Sequence, residues 1–573
     1  MITKITINNF KKIEHISFDL SSPLVLIGPN NSGKTSILQA ITLWETGLKK
    51  WANQKSTQKS KTITINRKDL ISLPIPSAKL LWHNLKTHDA KKVAGKQDTK
   101  NVYLDIIIEG NNDGKNWSAA FEFNYANEES LYCRPLRKGD ENKERYEISP
   151  ESYKTRVAYL QPMSGLASSE DRLTAGSIDR KIGEGKTADV IRNISYQLLH
   201  PERAIDAATD QEIKGRWDKI ASIIKDKFGI LIQEPTFNPE NGLLEMKYIE
   251  SGISYDLSSA GRGFQQTLLL LCFLYSNPGK IVLLDEPDAH LEVLRQKEIY
   301  HLISEITRSL GSQLIIASHS EIVLNQAASK DDDIIAILES SAIKLNDQRV
   351  RDNFKKSLTD FGWDKYYLAR LKKHCIYLEG TTDALNLETF ARKLNHPTAN
   401  LIGEANIDPV ETNLPKEAFK RFQAIKLIDP EIKGLCLFDR IDRESNPDDP
   451  LTVLQWRKRE LENYFCKPEI LLRWADSKAH SLFTGNYREI MENCIRDLTA
   501  PQFFNDPNAE WWDNEKLGDW AEMILKEFSK RTNQPMVLRK GTFYELIAFL
   551  KIEEIDLEIT EKLDAIYQVI KPE

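Results

Sequence analysis

Apolar and polar positions alternate at the start of the chain as they do in short strands. Ile2, Ile5 and Ile7, then Ile13, Ile16 and Phe18, predict strand, turn, strand before the continuous apolar run Leu24 to Ile27. A glycine-containing segment, Gly28 to Thr35, follows, and Ser36 to Thr42 opens a helix-compatible stretch. Val102 to Ile108 and Trp117 to Phe123 predict an antiparallel pair about the turn at Asn111 to Gly114. Between about 185 and 230 the apolar period lengthens to that of amphipathic helices. Apolar runs return at Ile281 to Leu284 and Leu314 to Ala317, each followed by helix-compatible sequence. This alternation is that of an α/β nucleotide-binding sheet. A second α/β pattern starts near Lys372, with strand candidates Cys375 to Leu378 and Gly434 to Phe438, and the remainder reads mostly as helix. The expected division is 1–370 and 371–573, with the boundary between Asp364 and Lys373 and no Pro/Gly-rich linker marking it.

Length supports that division, since 573 residues exceed what one compact core accommodates. Charged residues make up 28% and hydrophobic ones 41%, and the net charge is -6. That balance excludes a uniformly basic nucleic-acid binder but not a local basic groove. Residues 49–100 hold 13 Lys or Arg against three acids, Asp69, Asp89 and Asp98. They read slightly better as a solvated, partly disordered insertion than as a phosphate-backbone contact. The six cysteines lie far apart with no Cys-x-x-Cys pair, which argues against zinc and for buried thiols in a reducing compartment. No run approaches the roughly 20 apolar residues of a membrane helix. Met1 to Phe10 lacks the apolar core of a signal peptide. A cytoplasmic protein with no membrane partner is expected.

The sharpest chemistry lies at Gly28-Pro29-Asn30-Asn31-Ser32-Gly33-Lys34-Thr35, a G-x-x-x-x-G-K-[ST] sequence placed between a strand and a helix. Successive backbone N–H groups and the helix N-terminus would cradle the phosphates of ATP. Gly28, Asn30, Asn31, Ser32, Gly33, Lys34, Thr35 and Ser36 are therefore the candidate ATP contacts, with Lys34 reaching the β- and γ-phosphates and Thr35 offering its hydroxyl to Mg²⁺. The strand Ile281 to Leu284 ends in Asp285-Glu286. Asp285 would hold Mg²⁺, directly or through water, and Glu286 would orient or deprotonate the attacking water.

From here the sequence resembles a known class. Asp285-Glu286-Pro287-Asp288-Ala289-His290-Leu291 resembles the Walker B segment and D-loop of ABC-type ATPases, including structural-maintenance-of-chromosomes (SMC) and recombination-repair heads. Leu257-Ser258-Ser259-Ala260-Gly261-Arg262-Gly263 with Gln265 resembles their signature, although it departs from Leu-Ser-Gly-Gly-Gln. The resemblance assigns signature roles to Ser258 and Gly261, a γ-phosphate-sensing role to His319, and a Q-loop role to Gln161. It also implies a homodimer, or a higher even-numbered oligomer, with ATP sandwiched between heads. Thr35 and Leu257 are 222 residues apart with no long heptad tract between them, so the long coiled-coil arms of such ATPases are not expected.

A second acidic set begins at Glu379-Gly380-Thr381-Thr382-Asp383 and continues at Asp439-Arg440-Ile441-Asp442, each after a strand candidate. Carboxylates at adjacent strand ends can converge on Mg²⁺ or Mn²⁺ and support phosphodiester cleavage. These residues resemble a Toprim domain, with a spacing one residue longer than its Asp-x-Asp pattern. The run Glu460-Leu461-Glu462-Asn463-Tyr464 resembles Toprim nucleases of phage-defence ATPases, so the implied metal ligands are Glu379, Asp383, Asp439, Asp442, Glu460 and Glu462. Lys540 stands where such proteins carry a basic residue that could stabilise developing charge. A solvated surface remains the alternative for Asp442, Glu444 and Asp448.

The expected fold class is thus α/β, an ABC/SMC-type P-loop ATPase head followed by a Toprim domain with helical C-terminal elements. That order resembles the overcoming-lysogenization-defect (OLD) family, including the Gabija nuclease subunit. The Glu-Leu-Glu-Asn-Tyr run leans toward a fused phage anti-restriction-induced system (PARIS). The resemblance implies an antiphage ATPase and metal-dependent endonuclease, acting on DNA or tRNA, with a phage trigger or second defence subunit as a further partner. The alternatives are a regulatory ATPase scaffold that binds without cutting, or an SMC-like DNA-repair ATPase.

Overall fold

The computed structural model describes residues 1–55, 62–73, 75–93, 96–112, 114–139, 144–163, 166–202, 208–338, 341–345, 368–369, 371–412, 415–426, 431–440, 451–478, 486–535 and 538–571. Half of the expected boundary, 364–373, lies outside them, as do Asp442, Glu444 and Asp448. The chain divides into two compact units, Met1–Lys355 and Lys356–Glu573.

The first unit holds two six-stranded sheets. One is antiparallel, in the order Ile13–Asp19, Ile2–Phe10, Leu104–Asn112, Lys115–Asn127, Ser130–Pro135, Ile63–Asn66. The other runs Val157–Leu160, Ile281–Asp285, Gln313–Ser318, Leu24–Ile27, Asp333–Leu338, Ser341–Lys344, with only the last strand antiparallel. The strands Leu24–Ile27, Ile281–Asp285 and Gln313–Ser318 are wholly buried, and strands buried on both faces need the unbroken apolar runs their sequences carry. The helix Lys34–Lys55 ties the two sheets into one core. Its Trp44 is fully buried, and the indole N–H donates to the Ala119 carbonyl at 2.8 Å.

Residues 49–100 depart from the solvated insertion expected of their lysine content. Ile63, Ile65, Leu70, Leu73, Ala78, Leu81 and Trp82 all enter the core, and the strand Ile63–Asn66 pairs with Ser130–Pro135. These apolar positions are spaced by short turns rather than by a helix or strand period, so the basic composition masked them. Residues 56–61 lie outside the described residues.

Between the two motif-bearing ends of this unit lie the helices Ala175–Gly183, Ile191–Leu199 and Asp210–Phe228. The last is bounded by a reciprocal Thr209–Glu212 capping pair and by Gly229 in the left-handed region at φ 68°. A small sheet of Leu231–Ile232, Lys247–Glu250 and Ile253–Asp256 then leads into the helix Arg262–Tyr275, which is buried from Phe264 onward.

The second unit has a parallel four-stranded sheet, ordered Ile407–Pro409, His374–Leu378, Lys433–Phe438, Thr452–Gln455. Its core is completed by the helices Thr381–Lys393, Pro468–Ser477, Tyr487–Leu498, Leu517–Thr532 and Leu557–Ile570. All six cysteines are free and buried, two in the first unit and four in the second. Among the described residues no helix is long and apolar enough to cross a membrane.

Candidate functional site

The parallel register of the first unit brings its motifs to one sheet edge. Asp285 lies opposite Ala317, and Ser318 opposite Ile27, so the phosphate loop, the Asp285-Glu286 pair and His319 all leave the carboxyl ends of three neighbouring strands. Carboxyl ends of parallel strands are where open α/β sheets bind ligands.

The loop is closely fitted. A Cβ on Gly28 would lie 2.3 Å from the Ile337 carbonyl oxygen, and Gly33 has φ +106°, so neither position tolerates a side chain. Asn31 is also left-handed at φ 66°, and its carbonyl accepts from the Lys12 ammonium at 3.2 Å. Asn30 and Thr35 are exposed, whereas Ser32, Lys34 and Ser36 are buried. The Lys34 ammonium donates to the carbonyls of Gly28 and Pro29, both at 2.8 Å. Burial lowers its pKa, against the raising pull of Glu286, Asp285 and Asp288. The buried Ser32 hydroxyl has no hydrogen-bond partner. An orphaned donor, an ammonium bonded only to carbonyls and the N-terminus of a long helix fit a polyphosphate.

Asp285 is buried, and its two carboxylate oxygens are held separately. Thr35 Oγ1 donates to Oδ1 at 3.2 Å and the Tyr159 hydroxyl to Oδ2 at 3.1 Å. Burial pushes its pKa up to about 6, opposed mainly by those two hydroxyls. Glu286 follows in the left-handed region at φ 50°, a conformation costing of order 1 kcal/mol for a non-glycine residue. Its Oε1 lies 3.1 Å from His319 Nδ1. That contact lowers the Glu286 pKa and raises the imidazole's. The pair is a half-exposed carboxylate with a hydrogen-bonded imidazole, a geometry able to orient water and to take up a proton.

The signature segment is organised by its own preceding residue. Asp256 Oδ1 accepts from both the Ser258 N–H at 2.8 Å and its hydroxyl at 2.6 Å, while Arg192, itself fully buried, donates to the same oxygen at 2.9 Å. The Gln265 amide donates to the carbonyls of Leu257 and Ala260. Ser258 and Gly261 stay exposed. Sequence reasoning overlooked Asp256, although Asp-x-Ser ahead of a helix is a capping signal. Gln161 follows the strand Val157–Leu160 as expected, and its amide donates to the Gly183 carbonyl at 2.5 Å.

In the second unit the same parallel logic applies. Leu378 pairs with Leu437, so Glu379 and Asp439 emerge from adjacent strands at one edge. Asp383 sits in the first turn of the next helix, where Oδ2 accepts from the Gly380 N–H at 2.9 Å. Burial, with Glu379 and Glu460 nearby, pushes its pKa up to about 6. Asp439 is pushed up to about 8 by burial and by Glu379, Asp383, Glu462 and Glu460. Glu462 is likewise pushed up to about 8 by burial, then by Glu460 and Asp383. Five carboxylates therefore share one field, and one oxygen of Glu379 is buried without a hydrogen-bond partner.

The Glu460–Tyr464 run is anchored from remote segments. Glu460 Oε1 accepts from the Gly518 N–H at 2.7 Å, Asn463 donates to the carbonyls of Trp512 and Glu515, and Tyr464 donates to the buried Glu558. Lys540 pairs with Asp519 at 2.6 Å, and Glu460 and Glu462 raise its pKa as well. A Cβ on Gly518 would meet Glu460 Oε1 and Lys540 Cε, both at 2.9 Å, so this glycine is what lets the acids and the lysine close together. No local signal in the sequence marks Gly518. Among the described residues, no group of three or more His, Cys, Asp or Glu is arranged to hold a metal ion.

A profile of the AAA ATPase domain family matches residues 1–324. The chain belongs to that family. Among curated proteins, this AAA ATPase domain chain is 21% identical over 340 residues to the OLD nuclease of Thermus scotoductus, covering 56% of this chain and 59% of the nuclease. It is 36% identical over 81 residues to the zinc import ATP-binding protein ZnuC of Buchnera aphidicola, covering 14% of this chain and 32% of that protein. The chain thus spans less than two thirds of either curated relative. Among solved structures, an SMC head bound to the C-terminal winged-helix domain of ScpA is 17% identical, covering 61% of this chain and 99% of that one, with a TM-score of 0.37. The recombination mediator protein RecF is 12% identical, covering 60% of this chain and 98% of that one, with a TM-score of 0.30. The first unit is an α/β P-loop ATPase head of this family, related in sequence to that of the OLD nuclease.

Proposed function

We propose that this AAA ATPase domain protein is a regulatory switch, in which ATP binding pairs two heads and hydrolysis releases them. The observation carrying this reading is the division of the nucleotide machinery. The phosphate loop, Asp285, Glu286 and His319 gather at one sheet edge, while Ser258 and Gly261 are presented on an exposed, pre-formed turn. A signature turn ordered by Asp256 and Arg192 yet open to solvent suits a partner head's nucleotide. Lys34, Ser32 and the loop amides bind phosphate, Glu286 receives the water proton, and His319 holds Glu286 in place. A bound Mg²⁺, held by Thr35 and Asp285, supplies charge neutralisation on the phosphates. Glu286→Gln should slow hydrolysis and leave an ATP-bound dimer that light scattering resolves from the monomer. A Glu286→Gln protein that stays monomeric at saturating ATP, while the wild type hydrolyses it, overturns the paired-head reading.

A second reading has its own observation. Five carboxylates that act on one another electrostatically, with Lys540 beside them, favour a Toprim-type metal-dependent nuclease, and the chain's relative in Thermus scotoductus is named a nuclease. Glu379, Asp383, Asp439, Glu460 and Glu462 would supply hard oxygen ligands for Mg²⁺ or Mn²⁺. DNA and tRNA are both candidate substrates, with a phage component as trigger. Incubating the protein with ATP, either cation, plasmid DNA and total tRNA tests this. Products that vanish in Asp439→Ala support it, and no product from any substrate alongside intact ATP turnover leaves the switch reading alone.

A further inference from the structure

The strand Val157–Leu160 reads as plain sheet core, yet it contributes a hydroxyl to the nucleotide site. Tyr159 pairs with Leu283 on the neighbouring strand, two residues before Asp285. A rise of about 3.3 Å per residue puts Asp285 within reach of a tyrosine ring pointing along the strand. Tyr159 is 6% exposed, and its hydroxyl donates to Asp285 Oδ2 at 3.1 Å.

That hydroxyl is itself oriented. Burial and Asp285 hold the pKa of the Tyr159 hydroxyl well up, and the nearby Gln39 side chain, on the helix that begins at Lys34, pulls it down. Gln39 Oε1 in turn accepts from the Lys11 ammonium at 2.6 Å. Lys11 is fixed at the turn between the first two strands, where its N–H donates to the Leu81 carbonyl at 2.8 Å. With Oε1 taken by a cation, the Gln39 amide nitrogen is left to face Tyr159. The tyrosine proton goes to Asp285, and Tyr159 and Thr35 donate to the two separate oxygens of that carboxylate.

We propose that Tyr159 is a positioning residue for divalent-cation use, fixing the Asp285 carboxylate through Oδ2 so that Oδ1 faces Thr35, with Gln39 and Lys11 orienting the tyrosine hydroxyl. A buried tyrosine needs only some acceptor for its hydroxyl, and a backbone carbonyl would serve. Here the acceptor is one oxygen of the carboxylate whose other oxygen is shared with the loop threonine, so the bond sets the carboxylate plane. Groups outside the coordinating set typically tune metal affinity by about ten-fold or more when removed.

The inference rests on the reading of Asp285 as the residue through which Mg²⁺ acts, and the experiment separates the two. Binding of a fluorescent ATP analogue to the full chain is titrated with Mg²⁺ and with EDTA, for wild type, Tyr159→Phe, Gln39→Leu and Asp285→Asn. In Tyr159→Phe the affinity in EDTA should stay within about two-fold, and the gain in affinity on adding Mg²⁺ should shrink about ten-fold. The Mg²⁺ concentration for half-maximal ATP turnover should rise by a similar factor, while the KM for ATP at saturating Mg²⁺ changes less. Gln39→Leu, at a half-buried site, should shift the same quantities in the same direction by a smaller factor, and it serves as the test if Tyr159→Phe does not fold. Equal loss of affinity with and without Mg²⁺, or an unchanged Mg²⁺ requirement in both variants, overturns the proposal. If Asp285→Asn retains the wild-type Mg²⁺ gain, the underlying assignment of Asp285 falls instead.

Discussion

Burial raises Asp285 of the first unit as it raises Asp383, Asp439 and Glu462 of the second, but the two sets of carboxylates differ in their neighbours. In the first unit Asp285 and Glu286 each have a hydrogen-bonding partner, Thr35 and Tyr159 on Asp285 and His319 on Glu286, with the Lys34 ammonium nearby. In the second, Asp383, Asp439 and Glu462 are raised by burial and by one another, with Lys540 half-exposed at the margin. The first site is assembled around an anion it expects to receive. The second gathers buried acids with a single lysine, Lys540, at their margin. Pre-organised sites of either kind cost stability in the empty protein, and the cost is larger where like charges face each other.

This contrast can be broken at several points. The largest effect is expected at Lys34→Ala, which should lower ATP turnover by more than about 100-fold in a phosphate-release assay. Next, Asp439→Ala should remove any metal-dependent cleavage by a comparable factor while ATP turnover stays within about two-fold. A parallel loss of both activities would mean that the two carboxylate sets are not chemically separate. His319→Ala should cost about ten-fold in turnover, and its pH profile should lose an inflection, since the Glu286 contact keeps the wild-type imidazole charged to higher pH.

Smaller effects sharpen the electrostatic side. An acid whose folded pKa lies above its unfolded value binds more protons when folded. Its contribution to stability is then fullest at low pH and is lost as pH rises. For Asp439 and Glu462 the window runs from the ordinary carboxylate range near pH 4 up to about 8. Asp439→Asn should therefore melt higher than wild type at pH 8, by a few degrees, and the gap should close toward pH 5. Last, millimolar Mn²⁺ should raise the wild-type melting temperature at pH 8 by a few degrees and that of Asp439→Ala less. No cation effect on either protein would favour the non-cleaving reading.

The sequence was most transparent where burial on both faces forces an apolar run. Leu24–Ile27, Ile281–Asp285 and Gln313–Ser318 announce themselves as strands, and the residues after them, Gly28, Glu286 and His319, are then placed by sheet geometry alone. It was least transparent where a contact depends on segments far apart in the chain. Glu460 is anchored by Gly518, 58 residues on, and Asn463 by Trp512 and Glu515. The lysine-rich stretch hid Ile63, Ile65 and Trp82 because a charge count says nothing about spacing. Tyr159 escapes notice in the sequence because a hydroxyl at the end of an apolar ring leaves no trace in a hydropathy pattern.

The six buried free thiols have a practical corollary. Cys133 and Cys272 belong to the first unit, and Cys375, Cys436, Cys466 and Cys494 to the second. Burial pushes Cys272 and Cys375 up to about 12, so a closed protein offers almost no thiolate to an alkylating reagent. Mass-resolved alkylation then acts as an internal clock for transient opening, one set of sites timing each half of the chain. ATP should slow the clock at Cys272, divalent cation the clock at Cys466, whose neighbours include Glu460 and Glu462. The untouched wild-type protein thus carries its own reporters for both ligands.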